Sequence, residues 1–349
     1  MVDERMDIKF GIFTPPRGLK WIYRTAELAD KLNYDSVWMP DHLVGWGRNQ
    51  DALSVWPVLT ALGLKTKRIK VGTGVTDPHR LHPSVMAHVA MTMERILGEN
   101  RVMIGIGAGE AMNLDSYGFN WEKPVSRLKE FLEVLKLLWQ KRKVKYDGQY
   151  FKLKGAFISP RPTNIPLFVA GNRPRTRKIT GELGDGWFPF KVSPKIYERD
   201  WNEVKKAARD ADRPEDAITP GYLLYTVVSK DHDSAQEIVE RQGKILLMVS
   251  PNKIKDHGYE PPTYNLDASK SWKGRDPMKD AAKISEVPTE LINEIFVYGT
   301  SDECIDKIEK YTKAGCRYFI LGLLNPGKER DNAITVYSEK IISYFQEQY

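Results

Sequence analysis

Eight short apolar runs, each followed by an amphipathic stretch, recur along nearly the whole chain, and this alternation constrains the fold more than any other feature. The runs predict strands over 8–14, 36–40, 69–75, 101–106, 166–170, 186–190, 222–229 and 317–321. The stretches between them predict helices over 20–32, 53–64, 84–97, 125–140, 176–183, 196–210, 234–248 and 333–346. Strands apolar on both faces and bounded by turn residues belong to parallel sheets covered by helices. Eight βα units in sequence predict an α/β fold of the (β/α)8 TIM-barrel type with insertions. A doubly wound open sheet is the alternative, but it rarely runs to eight sequential units.

Two segments interrupt the rhythm. Residues 144–157 alternate and carry Asp147-Gly148 at their centre, which predicts a hairpin excursion. Residues 250–293 hold several prolines, Trp272 and many charges, and read as a partly helical insertion of the kind that forms a lid or an oligomer contact. The expected organisation is one barrel domain over 1–349. At 41% hydrophobic and 28% charged, the composition is that of a globular protein. No apolar run approaches the roughly 20 residues of a membrane span. The charged first residues lack the apolar segment of a signal peptide, so the expected location is the cytoplasm. Two cysteines, Cys304 and Cys316, without Cys-x-x-Cys or Cys/His spacing, read as buried reduced thiols and not as a disulfide or metal framework. The net charge of +7 comes from interleaved basic and acidic residues with no nucleic-acid motif. A basic surface favours an anionic cofactor or small-molecule substrate.

The chemistry concentrates at strand ends. The fourth strand runs into Gly105-Ile106-Gly107-Ala108-Gly109-Glu110-Ala111-Met112-Asn113. Its glycines allow backbone to approach a flat or phosphorylated ligand, and Glu110 falls at the carboxyl end of a strand, where α/β enzymes place their reacting groups. The second strand ends in Asp41-His42, with Trp46 following. These two residues form either an acid/base pair or cofactor clamp, or a loop cap beside a structural histidine. The third strand ends in Gly72-Thr73-Gly74-Val75-Thr76, which is either a ring-contacting edge or a tight turn. His79 and His82, in the loop after it, read as structural or exposed. The fifth ends in Ala170-Gly171-Asn172-Arg173-Pro174-Arg175, where a helix start flanked by arginines is either an anion site or a solvated basic turn. No Gly-x-Gly-x-x-Gly fingerprint opens the first βα unit, and no Walker loop, nucleophile elbow or zinc signature occurs.

Taken together, these strand ends resemble the bacterial luciferase-like superfamily of (β/α)8 flavin and deazaflavin enzymes. They are most similar to its branch that uses the 5-deazaflavin coenzyme F420. The resemblance rests on Asp41-His42-x-x-x-Trp46, Gly72-Thr73-Gly74-Val75-Thr76, Gly107-Ala108-Gly109-Glu110-Ala111-Met112-Asn113, Ala170-Gly171-Asn172 and Gly299-Thr300-Ser301. It implies a non-proline cis peptide at Gly74–Val75 behind the coenzyme ring. It implies His42 as base or acid on a substrate oxygen and Glu110 as the partner for a proton at the ring, with Asp41 and Trp46 lining the same pocket. The implied coenzyme contacts are Asp41, Thr73, Gly74, Val75, Gly107, Ala108, Gly109, Glu110, Asn113, Ala170, Gly171, Asn172 and Arg173. No metal is implied. A homodimer or higher homo-oligomer is.

The expected activity is hydride transfer between the coenzyme and a small organic substrate, of alcohol/carbonyl type. Alternatives are a methylenetetrahydromethanopterin reductase-type reaction, an FMN-dependent monooxygenase and a non-catalytic flavin-binding barrel. The chain departs from the alcohol and sugar-phosphate enzymes at Thr14-Pro15-Pro16-Arg17, where they carry a glutamate, and at Leu114, where they carry a second one. Their phosphate-binding lysines have no evident counterpart in 250–293. The archaeal reductases usually read Gly-Pro-Gly-Asp where this chain reads Gly107-Ala108-Gly109-Glu110.

Overall fold

One way for parallel strands with bulky residues on both faces to hide them is for helices to cover one face while the sheet closes over the other. A computed structural model, which describes residues 7–15, 18–45, 51–159, 162, 165–262, 267, 270 and 286–349, takes that solution. The strands are β1 (Lys9–Phe13), β2 (Ser36–Met39), β3 (Lys70–Thr76), β4 (Val102–Ile106), β5 (Val144–Asp147), β6 (Lys152–Ala156), β7 (Leu167–Val169), β8 (Gly186–Trp187), β9 (Thr219–Val228), β10 (Val297–Gly299) and β11 (Tyr318–Leu323). Eight of them form a closed parallel barrel in the order β1-β2-β3-β4-β7-β8-β9-β11, with β11 returning to β1. Ile12 shows the closure: it pairs with Val37 on one side and with Leu321 on the other.

The helices bury one stripe each. Helix Leu19–Lys31 turns Ile22, Ala26 and Ala29 inward, at the spacing of one helical face. Helix Ser301–Lys313 opens on a capping box, in which Glu303 Oε2 accepts from the Thr300 amide at 2.7 Å while Thr300 Oγ1 accepts from the Glu303 amide at 3.4 Å. Inside the barrel, Trp38 packs against Phe168 and Phe188 with ring centroids 5.2 and 4.9 Å away, beside Met103, Leu223 and Ile320. The interior is therefore a packed core. Strands β3 and β4 approach most closely at Gly105, where a Cβ would stand 2.2 Å from the Thr73 carbonyl oxygen. Thr73 seals this junction, its hydroxyl donating to the Gly105 carbonyl at 2.7 Å and accepting from the Gly105 amide at 3.0 Å.

The predicted elements differ from the structure in several places. The sixth strand is shorter than 186–190: only Gly186 and Trp187 pair in it, and Phe190 makes an isolated bridge to Leu223. The excursion is an antiparallel hairpin, β5 with β6, but Asp147 still pairs with Lys152 and Gly148 donates to Phe151. The reversal is thus the longer loop 148–151, with Glu130 accepting from the amides of Gln149 and Tyr150. Strand β10, which pairs with the end of β9, was not expected. The closing helix carries a π-helical stretch, Tyr337–Ile342, and runs on to Gln348. In the 250–293 segment, helices Pro251–Asp256 and Thr289–Ile295 are present, and Trp272 lies outside the described residues. Cys304 and Cys316 are both free and buried. No helix among the described residues is long and apolar enough to cross a membrane.

Candidate active site

The carboxyl ends of β2, β3, β4 and β7 are neighbours in the barrel order, so the segments that follow them share one sector of its rim. His42, after β2, turns Nε2 to within 3.6 Å of Glu110 Oε2, after β4. Between them in barrel order lies β3, whose Gly74–Val75 peptide is cis and whose register against β4 shifts between Thr73 and Thr76. At the end of β4, Gly107 packs closely on its neighbours: a Cβ there would come within 3.1 Å of Val75 Cγ2 and 3.4 Å of Ala170 Cβ. Gly109 has φ of +82°, a conformation that side chains rarely adopt, and this turn brings Glu110 back over the rim. Both Glu110 and His42 remain partly open to solvent.

Asp41 is buried and occupied. Its Oδ2 accepts from Thr76 Oγ1 at 2.7 Å and from Arg80 Nη2 at 2.7 Å. Asn113 accepts with Oδ1 from the Leu43 and Val44 amides, at 3.1 and 3.4 Å, and donates with Nδ2 to Glu110 Oε2 at 3.2 Å. Thr73 is buried and turns its hydroxyl into the β3–β4 junction. Ala108 and Gly171 also contribute through backbone: the Ala108 carbonyl accepts from Trp121 Nε1 at 3.0 Å, and the Gly171 carbonyl accepts from Trp187 Nε1 at 3.0 Å. Arg173 donates to Asp256 at 2.7 Å, and Arg175 donates to Ser126 at 3.2 Å. Trp46 lies outside the described residues. His79 holds the Ala108 carbonyl 3.1 Å from Nε2, and burial lowers its pKa. His82 caps helix Pro83–Leu97, its Nδ1 accepting from the Ser84 amide.

Sequence reasoning missed two cations at the mouth. Lys191 and Lys253 are both buried, with Nζ atoms 5.1 and 5.3 Å from the ring centroid of Phe190. Lys253 donates to Asn172 Oδ1 at 3.1 Å, an oxygen that also accepts from the Phe190 amide at 3.2 Å. Lys191 donates to the Leu246 carbonyl at 2.7 Å and to Ser250 Oγ at 3.0 Å. Burial pushes Lys191 down to about 7, while the charge of Glu110 acts in the opposite direction. Burial pushes Lys253 down to about 8, against the attraction of Asp256. The one available signal for Lys191 was a lone lysine in the apolar run Phe188-Pro189-Phe190-Lys191-Val192. Lys253 carried none. Among the described residues, no group of three or more His, Cys, Asp or Glu could hold a metal ion.

The family model for luciferase-like monooxygenases matches residues 8–318. The chain is 29% identical over 340 residues to the 5,10-methylenetetrahydromethanopterin reductase of Archaeoglobus fulgidus, covering 96% of this chain and 99% of that one. It is 29% identical over 327 residues to the F420-dependent glucose-6-phosphate dehydrogenase of Microbacterium testaceum, covering 90% of each. Among solved structures, an F420-dependent secondary alcohol dehydrogenase in complex with an F420-acetone adduct superposes with a TM-score of 0.81 at 24% identity, covering 96% of this chain and 98% of that one. That likeness is one of fold.

Proposed function

This chain belongs to the luciferase-like monooxygenase family, and we propose that within it the protein is an F420-dependent oxidoreductase acting on an alcohol or carbonyl substrate. The observation that carries the reading is the facing of His42 and Glu110 across the glycine-lined end of β4, at 3.6 Å. The rim suits a planar coenzyme, because Gly107 and Gly109 after β4 and Gly171 after β7 present backbone without side chains there. When bound, the coenzyme supplies a carbon that accepts or gives a hydride.

The protein's part is to orient the substrate and manage its proton. In the oxidising direction the substrate loses a hydride from carbon and a proton from oxygen as a carbonyl forms. His42 takes that proton as general base, the step for which an imidazole is the side chain most often used. Glu110 stabilises the imidazolium that results, and in the reducing direction His42 returns the proton to oxygen. Asp41, which accepts from Arg80 and Thr76, holds the rim. Lys191 and Lys253 favour a substrate that bears a negative group.

The test is a screen of alcohols, sugar phosphates, aldehydes and methylene-pterins against oxidised and reduced F420, read by coenzyme absorbance, with parallel FMN titration and oxygen measurement. Turnover of an alcohol or carbonyl with F420 and no oxygen uptake is expected. Turnover of methylene-pterins alone would move the substrate to the reductase type. FMN-supported oxygen consumption would replace the reading.

A further inference from the structure

His42 sits in the segment 41–44, which has neither helix nor strand hydrogen bonds to hold it. A base that must meet a substrate oxygen cannot be left to such a segment, since misplacement by about 1 Å costs on the order of 10²-fold in rate. We propose that Arg80 and Asn113 are positioning residues which fix the His42 imidazole opposite Glu110 by gripping the backbone on either side of it. This inference rests on the reading of His42 as the proton-handling group.

On the amino-terminal side, Arg80 Nη2 donates to the Asp41 carbonyl at 2.7 Å, the last backbone acceptor before His42. The same guanidinium donates to Asp41 Oδ2 at 2.7 Å, to Asp41 Oδ1 at 3.3 Å and, through Nε, to Asp77 Oδ2 at 2.6 Å. Asp77 Oδ1 in turn accepts from the His79 and Arg80 amides at 2.8 and 3.2 Å. The end of β2 is thereby locked to the loop after β3 through one half-buried, planar fork. On the carboxyl-terminal side, the first two amides after His42 both donate to Asn113 Oδ1. Asn113 Nδ2 then donates to Glu110 Oε2, the same oxygen that faces His42 Nε2. One amide group thus refers both His42 and Glu110 to a single frame.

If Arg80 served only to neutralise Asp41 and Asp77, a lysine would serve as well. If its role is the grip on the Asp41 carbonyl, a lysine fails, because a point-charge ammonium cannot reproduce a fork spanning two carboxylates and a carbonyl. Arg80→Lys and Asn113→Ala are therefore compared with the wild type in coenzyme titration, steady-state kinetics and the ring 15N shifts of His42. The expected result for Arg80→Lys is a folded protein that binds F420, with turnover reduced on the order of 10²-fold, KM little changed and His42 ring shifts moved. Asn113→Ala should also lower turnover and move the His42 shifts. Wild-type turnover in Arg80→Lys together with unmoved His42 shifts would overturn the inference while leaving the functional reading intact. If the wild type turned over no substrate, that reading would fall, and the ring shifts alone would decide whether the clamp holds His42.

Discussion

The His42 imidazole and the Glu110 carboxylate face each other at 3.6 Å although they extend from strands that are not adjacent, with β3 between them. A parallel barrel makes this possible. All its strands point the same way, so residues that follow different strand ends gather on one rim. Two groups placed there can pass a proton and share a ligand, whatever their separation along the chain.

Replacing His42 by Ala should leave F420 binding intact and lower turnover by about 10²- to 10⁴-fold, the usual contribution of a positioned acid or base. Coenzyme titration by absorbance, set beside kcat, checks both halves. Turnover close to wild type would remove His42 from its role.

Affinity for an anion at the mouth should fall as pH rises. Lys191 and Lys253 are charged below their depressed values of about 7 and about 8 and neutral above them. An ammonium attracts an anion and a neutral amine does not, so binding is tightest below 7 and weakens through 8. Sulfate is the suitable probe, because its own charge is constant over this range. Calorimetric titration in wild type and in Lys191→Met should show the pH dependence reduced in the variant. A flat profile in the wild type would argue against an anion site.

Gly105→Ala should destabilise the barrel by about 1–3 kcal/mol, the usual cost of forcing an extra carbon into a packed site. The added Cβ meets a backbone carbonyl oxygen at 2.2 Å, which cannot swing aside as a side chain would. The midpoint of urea denaturation measures the loss. An unchanged midpoint would mean that β3 and β4 separate freely.

Cys304 and Cys316 should resist alkylation in the native protein. Burial pushes both thiols up to about 12, so almost no thiolate exists near neutral pH. Intact-mass analysis after iodoacetamide treatment should show no adduct without denaturant and two with it.

The candidate residues that the structure brings together, His42 and Glu110, were legible because they sit in strong local patterns. Glu110 follows an apolar run broken by glycines, and Asp41-His42 closes the second such run, so strand-end position and residue type coincided. The glycine spacing also marked where backbone would be bare. Other residues at the rim were not legible in the same way. Arg80 lies in a loop whose sequence gives no sign that its guanidinium bridges two carboxylates and a carbonyl. Asn113 and Arg173, expected as coenzyme contacts, make bonds that their neighbours in the sequence do not announce: Asn113 to the 43–44 amides and Glu110, and Arg173 to Asp256. Lys191 and Lys253 are distant in the chain and meet only around Phe190.

By itself, the sequence determined the periodic part of this protein: eight strand-and-helix units, hence a closed barrel, and the rim at which its reacting groups are displayed. Periodicity suffices for that, because each unit must bury its own apolar face and only a few arrangements allow all eight to do so. The tertiary structure decided which polar groups are spent on holding the rim and which are left to face a ligand. That choice depends on burial and on partners far away in the chain, and a single arginine, lysine or asparagine carries no record of either in its neighbours.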